Sequence, residues 1–155
     1  MAKPVTCVDC KREGVTRWRA TPHGGPRSPL CVSHFRARKK MRRVRAHELH
    51  IARNFELSGE DYWGLYEFQG GMCFVCRRAR GISKRLAVDH DHDVAEFECG
   101  HDRDVGCPHC IRCLSCSVCN EMLGRYDVEA LARAIMVKTN PPAQQYFRER
   151  LKGGK

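Results

Sequence analysis

Apolar and polar positions along this chain change period several times, and the changes mark out the elements. Tyr62, Leu65 and Tyr66 recur at helical spacing behind Ser58, a residue suited to an N-cap. Glu60 and Asp61 fill the first turn, where the helix dipole favours negative charge. Gly70-Gly71 stops that helix, and its apolar face is expected in the core rather than stacked on bases. Leu86-Ala87-Val88 is a short apolar run of strand type ending at Asp89-His90, which places those polar side chains at a rim. Asn120 to Tyr126 reads as a short helix that begins beside Cys119 and ends near Gly124. Asp127 then caps a helix whose Val128, Leu131, Ala132, Ile135 and Met136 share one side, a stripe expected to pack within the chain. Asn140-Pro141-Pro142 breaks it, and Ala143 to Leu151 forms a last helix.

Composition limits what these elements can bury. With 155 residues, mean hydropathy −0.54 and 8% aromatics, the chain is one small domain, or a domain with an appendage, around a modest core. Cores of that size lean on metal or disulfide staples. No basic segment followed by an apolar run opens the sequence, so no secretory signal is expected. The best spanning candidate, Ala130 to Val137, is interrupted by Arg133. The expected compartment is therefore the cytoplasm, and eleven cysteines there point to metal ligation rather than disulfides.

Charge is distributed unevenly. Through Phe55 there are 14 Lys and Arg against 3 Asp and Glu, and beyond it 14 against 15. A basic first third beside a neutral remainder fits an arm that grips nucleic acid, attached to a chemical module. A merely solvated basic surface, or nonspecific RNA adhesion, is the plainer reading, and charge alone does not separate DNA from RNA. The cations concentrate in a run of good helix formers after His34. There Arg36, Arg38, Lys39, Lys40, Arg42, Arg43 and Arg45 can track phosphates, contributing affinity rather than sequence specificity.

Cysteine spacing is the strongest local signal. Cys7-x2-Cys10 and Cys31-x2-His34 flank a loop rich in Pro and Gly, the pattern of two metal knuckles closing one structural zinc site. Finger spacing with two histidines on one helix is absent, so base readout by that geometry is not expected. Cys73-x2-Cys76 and Cys116-x2-Cys119 would close a second, four-thiolate site. Between those pairs lies Asp89-His90-Asp91-His92, and Asn120 directly follows Cys119. A zinc ion there would pin the tetrad and the asparagine together. Alone, the tetrad could equally be a solvated acidic turn or a source of further zinc ligands, and Asn120 could simply cap its helix.

Taken together, these residues resemble a known family. Tyr62-Trp63-x-Leu65-x3-Gln69-Gly70-Gly71-x-Cys73-x2-Cys76, then Leu86-x-Val88-Asp89-His90-Asp91-His92, then Cys116-x2-Cys119-Asn120-x2-Leu123-Gly124 is similar to the phage recombination endonuclease VII family, within the wider HNH nucleases. The resemblance implies an α+β fold: a zinc-stabilised ββα-metal (HNH, His-Me finger) core with flanking helices and an N-terminal zinc knuckle module. The expected division is 1–54 for the basic zinc module, 55–126 for the nuclease core and 127–155 for a helical tail.

The implied activity is Mg²⁺-dependent DNA endonuclease cleavage, with Mn²⁺ as a substitute, leaving 5′-phosphate and 3′-hydroxyl ends. The chemistry requires a base for the water and a Lewis acid for the leaving oxygen. His90 would be the base, Asp89 and Asn120 the hard oxygen ligands of the catalytic ion, and His92 a contact to the phosphate or an organiser of the metal site. Asp91 is expected to be exposed or structural. The family's acidic residue further along the last helix has no match, because Leu123 stands one turn after Asn120. The DNA could be branched or linear, and a homodimer would present two sites to opposing strands. A homing or restriction-type enzyme and a non-catalytic zinc-module regulator are the rival readings.

The chain departs from short family members by an insertion between Glu98 and Cys113. After two sites are assigned, Cys99, Cys107, Cys110 and Cys113 remain. A third zinc could use Cys99, His101, Cys107 and Cys110, or Cys113 in place of His101. Pooled metals or an iron–sulfur centre are further options. The set with His101 is preferred, since Cys-x-His and Cys-x2-Cys pair as knuckles and leave Ile111-Arg112 as a strand. Zinc is thus expected at two or three ions per chain.

Overall fold

The computed structural model describes residues 4–152 as two compact units, Met1–Glu60 and Asp61–Lys155, in an α+β fold.

In the first unit, Cys7 and Cys31 stand immediately before two helices, α1 (Val8–Arg12) and α2 (Val32–Phe55), in extended backbone conformation. Between the helices, His23 and Leu30 form an antiparallel bridge that closes the loop. Gly24 in that loop has φ +85°, and a Cβ there would lie 1.9 Å from the Ser28 carbonyl oxygen, so no other residue fits without moving the turn. The core is small: Cys7, Cys10, Leu30 and Cys31 are buried, with Val5, Val8 and Val15 packed around them. Thiols rather than aliphatic side chains therefore occupy its centre. Helix α2 buries only Ile51 along its length, as its run of cations requires.

Helix α3 (Gly59–Phe68) leads into the second unit and stops at Gly70-Gly71, both left-handed, whose N–H groups return to the carbonyls of Glu67 and Tyr66. Tyr62 is fully buried and donates its hydroxyl to the Leu86 carbonyl at 2.9 Å. Strands β1 (Ala87–His90) and β2 (Ile111–Ser115) pair antiparallel, with Leu86, Val88 and Leu114 buried between the elements. Gln69 covers the other edge of β2. Its amide donates to the Leu114 carbonyl at 2.7 Å and accepts from the Leu114 N–H at 3.0 Å, replacing a third strand with one side chain.

Helix α4 (Ser117–Arg125) follows β2 directly and lies against β1. It starts earlier than the sequence reading placed it: Cys116 occupies the N-cap, so Asn120 sits one turn inside the helix and does not cap it. Helices α5 (Val128–Thr139) and α6 (Pro142–Lys152) complete the chain. Asp127 caps α5 as expected, accepting from the Ala130 N–H at 2.6 Å. The expectation that the α5 stripe packs within the chain is not met. Neither α5 nor α6 contains a buried residue: among the described residues Leu131 is half-buried, while Val128, Ile135 and Met136 are exposed.

Candidate active site and metal clusters

Three sets of soft ligands converge among the described residues: Cys7, Cys10, Cys31 and His34; Cys73, Cys76, Cys116 and Cys119; Cys99, His101, Cys107 and Cys110. Within each, the ligand atoms lie within 4.8 Å of one another. Their separations fit a specific ion. A tetrahedral zinc with bonds of about 2.3 Å to sulfur and 2.0 Å to nitrogen puts sulfurs about 3.8 Å apart and sulfur and nitrogen about 3.5 Å apart. In the first set, His34 Nδ1 is 3.3, 3.4 and 3.3 Å from the sulfurs of Cys7, Cys10 and Cys31. Cys76 and Cys116 are 4.0 Å apart, Cys99 and Cys107 3.6 Å, and Cys107 and Cys110 3.8 Å. All eleven thiols are free, and these spacings far exceed a disulfide bond.

Electrostatics points the same way. Burial and then neighbouring thiols push Cys10 to about 11, Cys99 to about 11 and Cys119 to about 12. Packed thiolates repel one another and need a cation to remain charged together. His34 donates from its outer nitrogen to Glu13 at 2.9 Å, which aims Nδ1 at the sulfurs, as carboxylates commonly do for ligating histidines. Each cluster could bind zinc. The third gathers His101, and Cys113 belongs to none. Cys113 lies buried in β2, its thiol pushed to about 11 by that burial.

The tetrad occupies the end of β1 and the turn after it. Asp89 pairs with Cys113 and His90 with Ile111, so the register skips Arg112, which forms a bulge opposite the tetrad. The bulge brings the Arg112 guanidinium onto Asp89, with Nε 2.7 Å from one carboxylate oxygen and a terminal nitrogen 3.2 Å from the other. Asp91 lies 3.5 Å from the same guanidinium. It also accepts from the N–H groups of Asp93 and Val94, the latter holding its carboxyl below the usual carboxylate range. Asp91 thus holds the backbone of the turn that enters the π-helical segment Val94–Glu98.

His90 is buried, and its Nε2 lies 2.9 Å from the Arg103 carbonyl oxygen. A carbonyl only accepts, so Nε2 carries the proton and Nδ1 is the basic nitrogen. His92 stacks on His90 with ring centroids 4.6 Å apart, and its Nδ1 is 3.9 Å from Asp104. On α4, Asn120 Oδ1 accepts from the Ser115 hydroxyl at 2.9 Å, which fixes the amide's orientation. An open cleft runs past Asp91, His92, Arg103 and Arg112 towards Leu123 and Tyr126.

The model of the family described as Recombination endonuclease VII matches residues 48–139, which include α3, both strands and the whole tetrad. The chain belongs to the recombination endonuclease VII family. It is similar to the Gene 59 protein of Mycobacterium phage D29, at 36% identity over 148 residues, 94% of this chain and 79% of that one. It is likewise similar to the Gene 59 protein of Mycobacterium phage L5, at 37% identity over 148 residues, 94% of this chain and 80% of the other. No solved structure matches.

Two partners of this endonuclease VII tetrad escaped the sequence reading. Arg112 looked like any strand residue, and only the bulge turns it to Asp89. Arg103 acts through its backbone, for which no sequence signal exists. Among the basic residues of α2, Arg36, Lys39, Lys40, Arg42, Arg43 and Arg45 are exposed, whereas Arg38 donates from Nε and Nη2 to the two carboxylate oxygens of Asp9, at 2.7 and 2.5 Å.

Proposed function

We propose that this endonuclease VII family member hydrolyses phosphodiester bonds in DNA, with branched DNA as its substrate, from a ββα-metal site made of β1, β2 and α4. The observation that carries the reading is the His90–Arg103 hydrogen bond. It commits the ring proton to Nε2 and leaves Nδ1 as a base for the attacking water, and the buried ring needs no further ordering at reaction. Asp89 and Asn120 offer hard oxygen donors, which suit Mg²⁺, and each oxygen keeps acceptor capacity beyond its present partner. A bound Mg²⁺ would supply Lewis acidity to the phosphate and leaving oxygen. Arg112 offsets the carboxylates of Asp89 and Asp91 where an anionic phosphate must approach.

His92, stacked on the base at the mouth of the cleft, would contact the scissile phosphate. The exposed cations of α2 would hold flanking phosphates. Products would carry a 5′-phosphate and a 3′-hydroxyl, and a homodimer would place one site on each of two strands.

The test is cleavage of a four-way junction and a matched linear duplex, with and without Mg²⁺, by zinc-loaded protein. Mg²⁺-dependent nicks near the branch are expected, and His90→Ala should slow them by about 10²–10⁴ while DNA binding persists. Equal cutting of both substrates would retain the nuclease and remove the preference for branches. No cutting by folded, DNA-binding protein would refute the activity.

A further inference from the structure

The insertion that carries the third ligand set does more than close a loop. Its ligands Cys99, His101, Cys107 and Cys110 bracket the segment 102–106, and that segment reaches the tetrad. The Arg103 carbonyl accepts from His90 Nε2 at 2.9 Å, and Asp104 lies 3.9 Å from His92. At the far end, the carbonyl of the ligand Cys110 accepts from the Asp91 N–H at 2.8 Å. Three consecutive tetrad residues thus meet one metal-binding loop.

Apolar packing cannot place the part of the loop that matters. Asp102, Arg103 and Asp104 are charged and exposed. Their local order comes from a turn in which Asp102 accepts from the N–H groups of Asp104, at 2.9 Å, and Val105, at 3.0 Å. Such a turn sets shape but not position. Position is set where the loop is anchored, at His101 and Cys107, two of the four ligands. His101 Nδ1 lies 3.3 Å from the Asp102 carbonyl, which leaves Nε2 as the ligating nitrogen and ties that ligand to the loop.

We propose that a zinc ion on Cys99, His101, Cys107 and Cys110 is a positioning device for the catalytic base, holding the Arg103 carbonyl where it locks His90 in the Nε2–H tautomer. The inference rests on reading His90 as that base and adds a role for the third cluster beyond stability. Without the ion, His101 keeps its backbone bond to Ala95 and Cys110 its bond to Asp91, but the segment between them loosens, the carbonyl withdraws and the ring samples both tautomers. Displacing a catalytic group by about 1 Å is enough for a roughly 10²-fold loss of rate.

The experiment uses the full chain with ¹⁵N-labelled histidine, loaded with zinc. The readouts are zinc content, the ring ¹⁵N signals of His90 and His101, and junction cleavage. Wild-type protein should hold three zinc ions and show His90 as a single Nε2–H tautomer. Cys107→Ala should lose one ion, move the His90 signals to averaged values and cleave about 10²-fold more slowly. His101→Cys alone, with Cys107 in place, supplies a fourth thiolate for the imidazole and should keep the ion, the tautomer and cleavage together.

Cys107→Ala protein that holds two zinc ions with His90 still locked would overturn the proposal. If Cys107→Ala does not fold, a chelator titration of wild-type protein decides the matter. His90 signals should change in step with those of His101, and a change at His101 alone overturns the coupling. Wild-type protein with the zinc-dependent tautomer but no cleavage would uphold the coupling and reject the nuclease reading.

Discussion

Replacing Arg112 by Met tests how the tetrad is held and what it is ready to bind. The Asp89 side chain is 4% exposed and that of Arg112 41% exposed. Removing one partner of a fully buried pair costs about 3–5 kcal/mol, whereas a surface pair is worth about 0–1 kcal/mol. Asp89 belongs to the first class and Arg112 lies between them, since water can enter from its open side. Stranding the Asp89 carboxylate should therefore cost about 2 kcal/mol, which in a unit of this size lowers the melting temperature by roughly 10 °C.

The assay is thermal unfolding of zinc-loaded protein in buffer free of divalent cations and chelator, repeated with Mg²⁺. Two further results are expected. Asp89→Asn added to Arg112→Met should recover part of the loss, because no buried charge remains. Mg²⁺ should stabilise Arg112→Met more than wild type, because in wild type the ion must compete with the guanidinium for Asp89. A melting temperature within about 2 °C of wild type, or an equal Mg²⁺ response in both proteins, would refute the reasoning.

Helix α2 makes a second test. Changing Lys39, Arg42 and Arg43 to Gln should lower the salt dependence of DNA binding by about 0.9 per cation removed. Arg38→Gln should leave that slope unchanged and destabilise the first unit, because Arg38 is bound to Asp9; an equal fall in slope would contradict this. Asp91 provides a pH test. Its carboxyl is held low, first by the Val94 N–H, so its contribution is complete above the ordinary carboxylate value of about 3.9 and is lost as pH falls through the depressed value. Asp91→Ala should cost about 1 kcal/mol at neutral pH, and urea unfolding at decreasing pH should show the gap from wild type closing below about pH 4. A gap that widens in acid would reverse the assignment.

Features with a local cause were legible in the residues. Cys-x2-Cys and Cys-x2-His place two ligands within one turn of backbone, so spacing announced the first two clusters and left the third with alternative ligand sets. Gly70-Gly71 and Asp127 act on their own neighbours, so the end of α3 and the start of α5 followed from residue type. Other features required the chain to fold. Cysteines recurring every third residue let the sequence prefer His101 over Cys113 without deciding it, until β2 buried one and the loop turned the other towards the thiols. The α5 stripe has helical period, but period states that a face is apolar and not what covers it. Arg112 reaches Asp89 only because a bulge shifts the strand register. The group that sets the His90 tautomer is a backbone carbonyl, and every residue carries one. Identity along the chain encodes side-chain chemistry and local backbone preference; partners across the fold, and main-chain groups above all, are assigned by geometry.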